Sequence, residues 1–274
     1  MGAADARVRR IGADGVGGFV SQALPHPQDF AADLTRELAA RISAQPVTGV
    51  RPRRAATLIL IDRTGPAPRV LMGRRHSGHK FMPGSFVFPG GRMEAADGRM
   101  PVASALSSVT EAKLMRCLRR PSAAAARAIA LAAIRETFEE TGLLIGVSEA
   151  RTPVRKQSPM WQAFAGHGVL PSLESIHFIG RAITPPRNKM RFDAIFLAAD
   201  ASAVAKTVED VVGPESELVE LTWVTVAEAL ELGPVAITRV ILRELENRVA
   251  LGMGRDLPVP SYRFRRNQWI RDEI

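Results

Sequence analysis

The chain of 274 residues has little cysteine, few aromatic residues and no long apolar run. Its one cysteine, Cys117, excludes an intrachain disulfide and is typical of a reducing compartment, so we expect a cytoplasmic protein. No apolar stretch approaches the roughly 20 residues that span a membrane, and residues 1–10 lack the apolar core of a signal peptide. Aromatic residues make up 5% of the chain, too few for an interleaved base-stacking platform.

The net charge of +9 indicates an anionic partner. The basic residues are nevertheless spread along the chain, with short clusters at 51–54, 74–75, 119–120 and 263–266. A phosphorylated small molecule accounts for this charge as well as nucleic acid does. We therefore expect a small-molecule partner and no membrane, with nucleic acid as the less favoured partner.

The most informative stretch of the sequence is Arg135-Glu136-Thr137-Phe138-Glu139-Glu140-Thr141-Gly142. The carboxylates of Glu136, Glu139 and Glu140 stand at positions i, i+3 and i+4, which share one face of a helix. Like charges this close repel each other, so a cation among them is the simplest explanation, and oxygen ligands favour Mg²⁺ or Mn²⁺. A solvated acidic face with Arg135 as its counter-charge is the alternative.

Together with Gly91 upstream, the run Arg135-Glu136-x-x-Glu139-Glu140-x-Gly142 resembles the signature of the Nudix hydrolases, which cleave a nucleoside diphosphate linked to another group. The resemblance implies an α+β fold, namely a Nudix-type α/β/α sandwich with a mixed β-sheet. It implies that Mg²⁺ or Mn²⁺ is held by Glu136, Glu139, Glu140 and the carbonyl of Gly91. The implied catalytic residues are Glu139, Glu140 and Arg135, with Arg135 orienting a glutamate rather than touching substrate.

The spacing inside this signature departs from the family pattern. The first acid, Asp97, precedes Arg135 by nearly forty residues, whereas the family pattern separates the two by only a few. A long insertion, at about 98–121, resembles the coenzyme A diphosphatase subfamily. We expect this insertion to contain a helix over 104–118, because its leucines approximate one helical face.

The segment before the signature carries a second resemblance to the coenzyme A diphosphatases, in a pattern that ends in Phe88-Pro89-Gly90-Gly91. The substrate-binding residues implied by this resemblance are Arg75, Lys80, Gly84 and Gly90. Lys80 stands where the pattern has arginine, and lysine keeps the charge but lacks the bidentate fork that grips a phosphate. A solvated basic loop is the alternative interpretation.

A further metal ligand or catalytic base is expected from a segment outside the signature. Glu215 and Glu217 are the main candidates, followed by Glu220 in the next strand. Ordinary charges at a strand edge are the alternative for each of them.

The implied function is metal-dependent hydrolysis of the diphosphate bond of a nucleoside diphosphate conjugate, with coenzyme A or an acyl-coenzyme A as the favoured substrate. Two alternatives stay open. One is a Nudix hydrolase for ADP-ribose or NADH, and the other is a non-catalytic Nudix module that binds nucleotides or nucleic acid. A homodimer is a further possibility that the sequence does not decide.

Residues 1–27 have little periodicity and are predicted to be an arm, and hydrophobic periodicity predicts a short helix over 28–42, which completes an N-terminal segment of residues 1–50. The resemblance implies one Nudix hydrolase domain over 51–274. The predicted strands of the domain lie at 56–61, 70–72, 143–145, 176–183, 191–197 and 218–224. Its predicted helices, besides the one in the insertion, lie at 123–141, 227–232 and 237–249, with a short helix near Trp161.

Overall fold

The computed structural model describes residues 8–10, 27–42, 49–79, 82–149 and 157–274. The strands are β1 (Val8–Arg10), β2 (Arg53–Asp62), β3 (Arg69–Arg75), β4 (Phe86–Val87), β5 (Gly90–Arg92), β6 (Leu143–Ile145), β7 (Val147–Ser148), β8 (Val169–Leu170), β9 (His177–Ile183), β10 (Phe192–Asp200), β11 (Val204–Thr207), β12 (Leu218–Thr225), β13 (Pro260–Arg265) and β14 (Gln268–Glu273). The helices are α1 (Pro27–Ile42), α2 (Ser108–Arg116), α3 (Ala123–Thr141), α4 (Pro159–Gly166), α5 (Val226–Glu231) and α6 (Ala236–Ala250), with 3₁₀ turns at Asp97–Arg99 and Ala201–Ala203.

A mixed sheet of ten strands forms the centre of the fold, in the order β1-β12-β3-β2-β10-β9-β13-β14. β4 pairs with β3, and β5 pairs with β2. β10 runs parallel to β2, whereas β12 and β9 run antiparallel to their partners β3 and β10. The α+β fold class with a mixed sheet, predicted from the sequence, is confirmed.

β2 is buried on both faces, which explains why its sequence is a continuous apolar run. Leu58 and Leu60 join a hydrophobic cluster with α3, while Ile59 and Ile61 join a second cluster with α1 and α6. Successive side chains of a strand point to opposite faces, so the two clusters lie on opposite sides of the sheet. Helices therefore cover both faces, as an α/β/α sandwich requires.

The helix predicted over 104–118 begins later than expected. The structure places α2 at Ser108–Arg116, with the Ser107 hydroxyl accepting a hydrogen bond of 3.2 Å from the amide of Thr110. Ser104 instead forms an isolated parallel bridge with Ser172. The prediction was wrong at its start because the N-cap at Ser107 and this tertiary pairing outweigh local helix periodicity.

The C-terminal hairpin of β13 and β14 is absent from the sequence-based predictions. Its two-residue turn is formed by Arg266 and Asn267, with φ of 49° and 61°, and the strands pair from Arg265–Gln268 outwards. Two-residue hairpin turns with positive φ usually contain a glycine, which serves as their sequence signal. This turn has none, so the sequence contains only a weak indication of the hairpin.

Residues 1–27 were predicted to be an unpatterned arm, yet β1 (Val8–Arg10) lies within them and pairs in parallel with β12. The remainder of that arm, apart from Pro27, lies outside the described residues. The helix predicted at 28–42 corresponds to α1, whose Phe30 and Leu34 are buried. The division at residue 50 and the insertion at 98–121 stay predictions. In the described part of the chain, no helix has the length and apolarity needed to cross a membrane.

Candidate active site

α3 carries the signature residues, and its two ends are fixed by local sequence. The Ser122 hydroxyl accepts a hydrogen bond of 3.2 Å from the amide of Ala125 and so caps the first turn. Gly142 ends the helix in the left-handed conformation, with φ of 74°, and donates to the carbonyl of Phe138 at 2.9 Å. A Cβ at this glycine would collide with the backbone carbonyl of Val208, so only glycine fits. The acidic residues thus occupy the last two turns of a buried, well-anchored helix.

Arg135 is 1% exposed and lies at the centre of the acidic cluster. Its guanidinium donates to Glu136 at 2.9 Å and to both carboxylate oxygens of Glu139 at 3.0 Å. It also donates to Asp97 at 2.7 Å and to the carbonyl of Arg92 at 2.8 Å. A planar guanidinium that is satisfied on all sides fixes the orientation of each partner.

Asp97 is fully buried and holds Arg135 from across the fold, although 38 residues separate the two in sequence. Its carboxylate also accepts hydrogen bonds from the indole N–H of Trp161 at 3.1 Å and from the amide of Glu94 at 2.7 Å. Asp97 was expected only as the first acid of the signature, and the structure places it in direct contact with the rest of that signature. Its position six residues after Gly91 was the signal in the sequence.

The glycine pair of β5 lies directly against the acidic face of α3. The amide of Gly90 donates to Glu140 at 3.0 Å. A Cβ on Gly91 would collide with the carboxylate of Glu136, so the side chain of Glu136 occupies space that only glycine leaves open. Pairing of β5 with β2 holds both glycines in place, since Gly90 is opposite Thr57 and Gly91 is opposite Ala56.

The carboxylates of this cluster carry more negative charge than Arg135 compensates. Burial raises the pKa of Glu136 to about 7; Arg135 opposes this shift, and the charges of Glu139 and Glu217 add to it. Burial also raises the pKa of Glu140 well above its usual range, and the charge of Glu217 is the next largest contribution. Deprotonation of both groups at neutral pH therefore requires additional positive charge nearby.

Of the three glutamates predicted as a further ligand or base (Glu215, Glu217 and Glu220), Glu217 is the one that lies at this cluster. It lines the same cavity as the glutamates of α3. The guanidinium of Arg75 contacts its carboxylate at 2.9 Å, and the imidazole of His79 lies 3.4 Å away. Glu220 instead pairs across the sheet with Arg74 at 3.0 Å. Glu215 is exposed and is not among the residues that line the cavity.

The remaining residues predicted to bind substrate lie as follows. Arg75 and Gly90 line the cavity. Gly84 has a left-handed conformation with φ of 69° and is not part of the cavity lining. Lys80 lies outside the described residues. The roles assigned to these residues stay predictions.

The cavity has a volume of about 1670 Å³. It extends from the acidic end of α3, past the Arg53 end of β2, to the connection between β9 and β10. A smaller cavity of about 400 Å³ lies beside the C-terminal hairpin and contains none of the signature residues. The arrangement of carboxylates, glycine amides and arginine at one end of a large cavity suits the binding of a polyanion together with a cation.

Comparison with solved structures identifies this fold. A Nudix hydrolase from Alicyclobacillus acidocaldarius is 25% identical, covers 74% of this chain and 97% of its own, and superposes with a TM-score of 0.53. The Nudix domain of NrtR from Shewanella oneidensis, solved with ADP ribose, is 12% identical, with 78% and 97% coverage and a TM-score of 0.41. An Ap4A hydrolase from C. elegans is 11% identical, with 72% and 98% coverage and a TM-score of 0.37. No model of a known protein family matches the chain.

The fold is that of the Nudix hydrolases. The Alicyclobacillus neighbour, taken with the signature cluster, supports the placement of this chain in the Nudix superfamily.

Proposed function

We propose that this protein hydrolyses the diphosphate bond of a nucleoside diphosphate conjugate, with coenzyme A or an acyl-coenzyme A as the favoured substrate, in a reaction that depends on Mg²⁺ or Mn²⁺. The observation that carries the proposal is the buried Arg135, which joins Asp97, Glu136 and Glu139 at one end of the cavity. In a solvated acidic face, the arginine would be exposed and would need no partner from elsewhere in the chain. Here Arg135 is buried and contacts Asp97, which is 38 residues away in sequence.

The chemistry of the donor set fits a hard divalent cation. Glu140 is buried and Glu136 is partly buried, and the pKa values of both are raised, so they form a site in which positive charge is deficient. The residues that would hold the ion are Glu136, Glu139 and Glu140 with the carbonyl of Gly91. In the described part of the chain, no group of three His, Cys, Asp or Glu residues is already arranged as metal ligands. Both carboxylate oxygens of Glu139 accept from Arg135, and each keeps a further lone pair that a cation could use.

Mg²⁺ or Mn²⁺ held by these carboxylates would supply charge neutralisation for the diphosphate and would increase the acidity of water. Arg135 holds Glu136 and Glu139 in position, and Asp97 holds Arg135. The amide of Gly90 does the same for Glu140. Glu217, which acts electrostatically on both Glu136 and Glu140, is our candidate to accept a proton from the attacking water. Arg75 adds positive charge for the diphosphate oxygens at the same end.

The reaction adds one water across a P–O–P linkage and yields two phosphomonoesters. Coenzyme A would give 3′,5′-ADP and 4′-phosphopantetheine. A panel of coenzyme A, ADP-ribose and NADH, with and without Mg²⁺ and with kcat/KM measured for each, decides among these substrates, since specificity is the ratio of those constants. Hydrolysis of ADP-ribose or NADH in preference to coenzyme A would revise the substrate. No cleavage of any diphosphate would favour a non-catalytic nucleotide-binding module.

The signature residues provide the internal test. Glu139→Gln and Glu140→Gln should each lower kcat by orders of magnitude and leave the circular dichroism spectrum unchanged, because each removes a charge that matters chiefly with the cation bound. Glu136→Gln should also be harmful. Glu231→Gln, at an exposed glutamate of α5 outside the cavity, is the matched control and should keep full activity. Near-wild-type turnover in both Glu139→Gln and Glu140→Gln would exclude the assignment.

A further inference from the structure

The cavity has two ends of opposite charge. Its acidic lining residues all belong to α3, to Glu217 or to Glu94, which follows β5. We call this part the catalytic end. At the opposite side, the distal end is formed by Val50, Arg53, Lys189, Met190, Arg191 and Phe192. Among the described residues that line the distal end, the charged ones are all basic.

The two ends are separated by about the length of a nucleoside. Gly90 pairs with Thr57 of β2, and Phe192 pairs with Arg53 of the same strand. These positions are four residues apart, which corresponds to about 13 Å along a strand. Arg53, Ala55 and Thr57 share the face of β2 that lies opposite to α3, and all three line the cavity. The cavity therefore continues from the glycine pair of β5 along that face to the distal end.

The positive charge of the distal end is not neutralised by carboxylates of the described residues. Arg191 donates to the carbonyl of Thr184 at 3.1 Å and to that of Val50 at 2.6 Å, and neither partner carries a charge. Lys189 and Arg53 are exposed, and neither forms an ion pair with a carboxylate in the described part of the chain. Arg75 at the catalytic end differs, since Glu217 contacts it at 2.9 Å.

Apolar surface accompanies these cations. Met190 is 43% exposed and Val50 is 39% exposed, and they are two of the five exposed large apolar side chains among the described residues. Both line the distal end of the cavity. Cations next to exposed apolar side chains match a group that combines a phosphate with a flat or aliphatic moiety, such as a phosphorylated nucleoside.

We propose that the distal end binds a second phosphate of the substrate, one carried outside the diphosphate linkage, with Lys189 and Arg53 contacting the phosphate and Met190 packing against the attached nucleoside. This inference rests on the proposed function, because the diphosphate must lie at the catalytic end for the second phosphate to reach Lys189. The substrate class is therefore a nucleoside diphosphate conjugate whose ribose bears a further phosphate.

The test compares substrates that differ only in that phosphate. In the double variant Lys189→Gln/Arg53→Gln, kcat/KM for coenzyme A should fall about tenfold to a hundredfold, as expected for lost charge-assisted contacts. For dephospho-coenzyme A, which lacks the 3′-phosphate, it should change by less than about threefold. Lys206→Gln, at an exposed lysine of β11 outside the cavity, is the matched control and should leave both values unchanged. Equal losses on the two substrates, or no loss on either, would overturn the inference.

A binding measurement separates this inference from the proposed function. By titration calorimetry, the wild-type protein should bind 3′,5′-ADP about tenfold more tightly than 5′-AMP, and the double variant should lose that preference. If the wild type hydrolyses no diphosphate but keeps the preference, the proposed function fails and the distal phosphate site stands. If it hydrolyses diphosphates but binds 3′,5′-ADP no more tightly than 5′-AMP, the distal phosphate site is contradicted and the proposed function stands.

Discussion

Asp97→Asn tests whether the buried ion pair with Arg135 holds the active site together. The side chain of Asp97 is 0% exposed and that of Arg135 is 2% exposed, so the pair has little solvent screening. Asparagine keeps the shape and can still accept from the indole of Trp161, but it removes the charge that faces the guanidinium. Removing one partner of a buried ion pair costs about 3–5 kcal/mol when the other charge is left without a partner. Arg135 keeps its contacts to Glu136 and Glu139, so we expect a smaller loss, with the free energy of unfolding falling by about 1–3 kcal/mol.

Urea unfolding of the wild type and of Asp97→Asn, followed by circular dichroism, measures this loss through the midpoint and the slope. Asp33→Asn removes the partner of Arg36 in a pair whose side chains are 59% and 77% exposed. This control should lose less than about 1 kcal/mol, as exposed pairs do. A loss below about 1 kcal/mol in Asp97→Asn as well would refute the buried ion pair as a main support of the cluster. Because Arg135 also orients Glu136 and Glu139, turnover should fall in Asp97→Asn even under conditions where it is fully folded.

Two further substitutions test the glycine pair of β5 and a histidine away from the acidic cluster. In Gly91→Ala, the new methyl group would displace the carboxylate of Glu136, so kcat should fall at least tenfold while the melting temperature changes by only a few degrees; unchanged kcat would show that Glu136 relocates freely. Burial, followed by the charges of Arg255 and Arg248, lowers the pKa of His177 to about 4. The unfolded chain therefore binds a proton first as pH falls, and His177→Gln should abolish a stability loss of about 1–3 kcal/mol between pH 6.5 and 4, measured by urea unfolding of both proteins. A loss of the same size in the variant would remove His177 as its source.

The local parts of the site could be predicted from the sequence because they depend on helix geometry alone. Three glutamates at i, i+3 and i+4 and a terminating glycine define the acidic face of α3, whatever surrounds it. The contact of Asp97 with Arg135 could be suggested only by resemblance, since it depends on how α3, the 3₁₀ turn at Asp97–Arg99 and Trp161 pack together. Hydrophobic periodicity describes only neighbouring residues of one helix or strand, so it cannot predict a contact between residues 38 positions apart with another helix between them.

The choice among the late glutamates could not be made from the sequence for a different reason. Side chains alternate between the two faces of a strand. Sequence spacing could therefore tell which of Glu215, Glu217 and Glu220 face the cavity only if the strand pairing were regular. The pairing of β12 with β3 shifts between Leu218 and Glu220, which breaks that regularity. In the structure, Glu217 contacts Arg75 at the cavity, whereas Glu220 pairs with Arg74. The role of Glu217 stays a prediction.

The opposite charges of the two cavity ends lead to a last prediction about the order of binding. Without a cation, the glutamates that line the catalytic end are Glu94, Glu136, Glu139, Glu140 and Glu217. Arg135 and Arg75 are already paired with glutamates there, so little positive charge is left to hold a diphosphate. The distal end, with Lys189 and Arg53, attracts phosphate whether or not a cation is present. Affinity for a diphosphate at the catalytic end should therefore depend on Mg²⁺, whereas affinity for the distal phosphate should not.

Titration calorimetry in the presence of either EDTA or Mg²⁺ measures both dependences. Methylenediphosphonate, a diphosphate mimic that cannot be hydrolysed, should bind at least tenfold more tightly with Mg²⁺. The affinity of 3′,5′-ADP relative to 5′-AMP should change by less than about threefold, because that ratio isolates the phosphate at Lys189. Tight binding of methylenediphosphonate in EDTA would contradict the charge deficit at Glu136 and Glu140. A ratio that collapses in EDTA would mean that the cation, rather than Lys189 and Arg53, recognises the second phosphate.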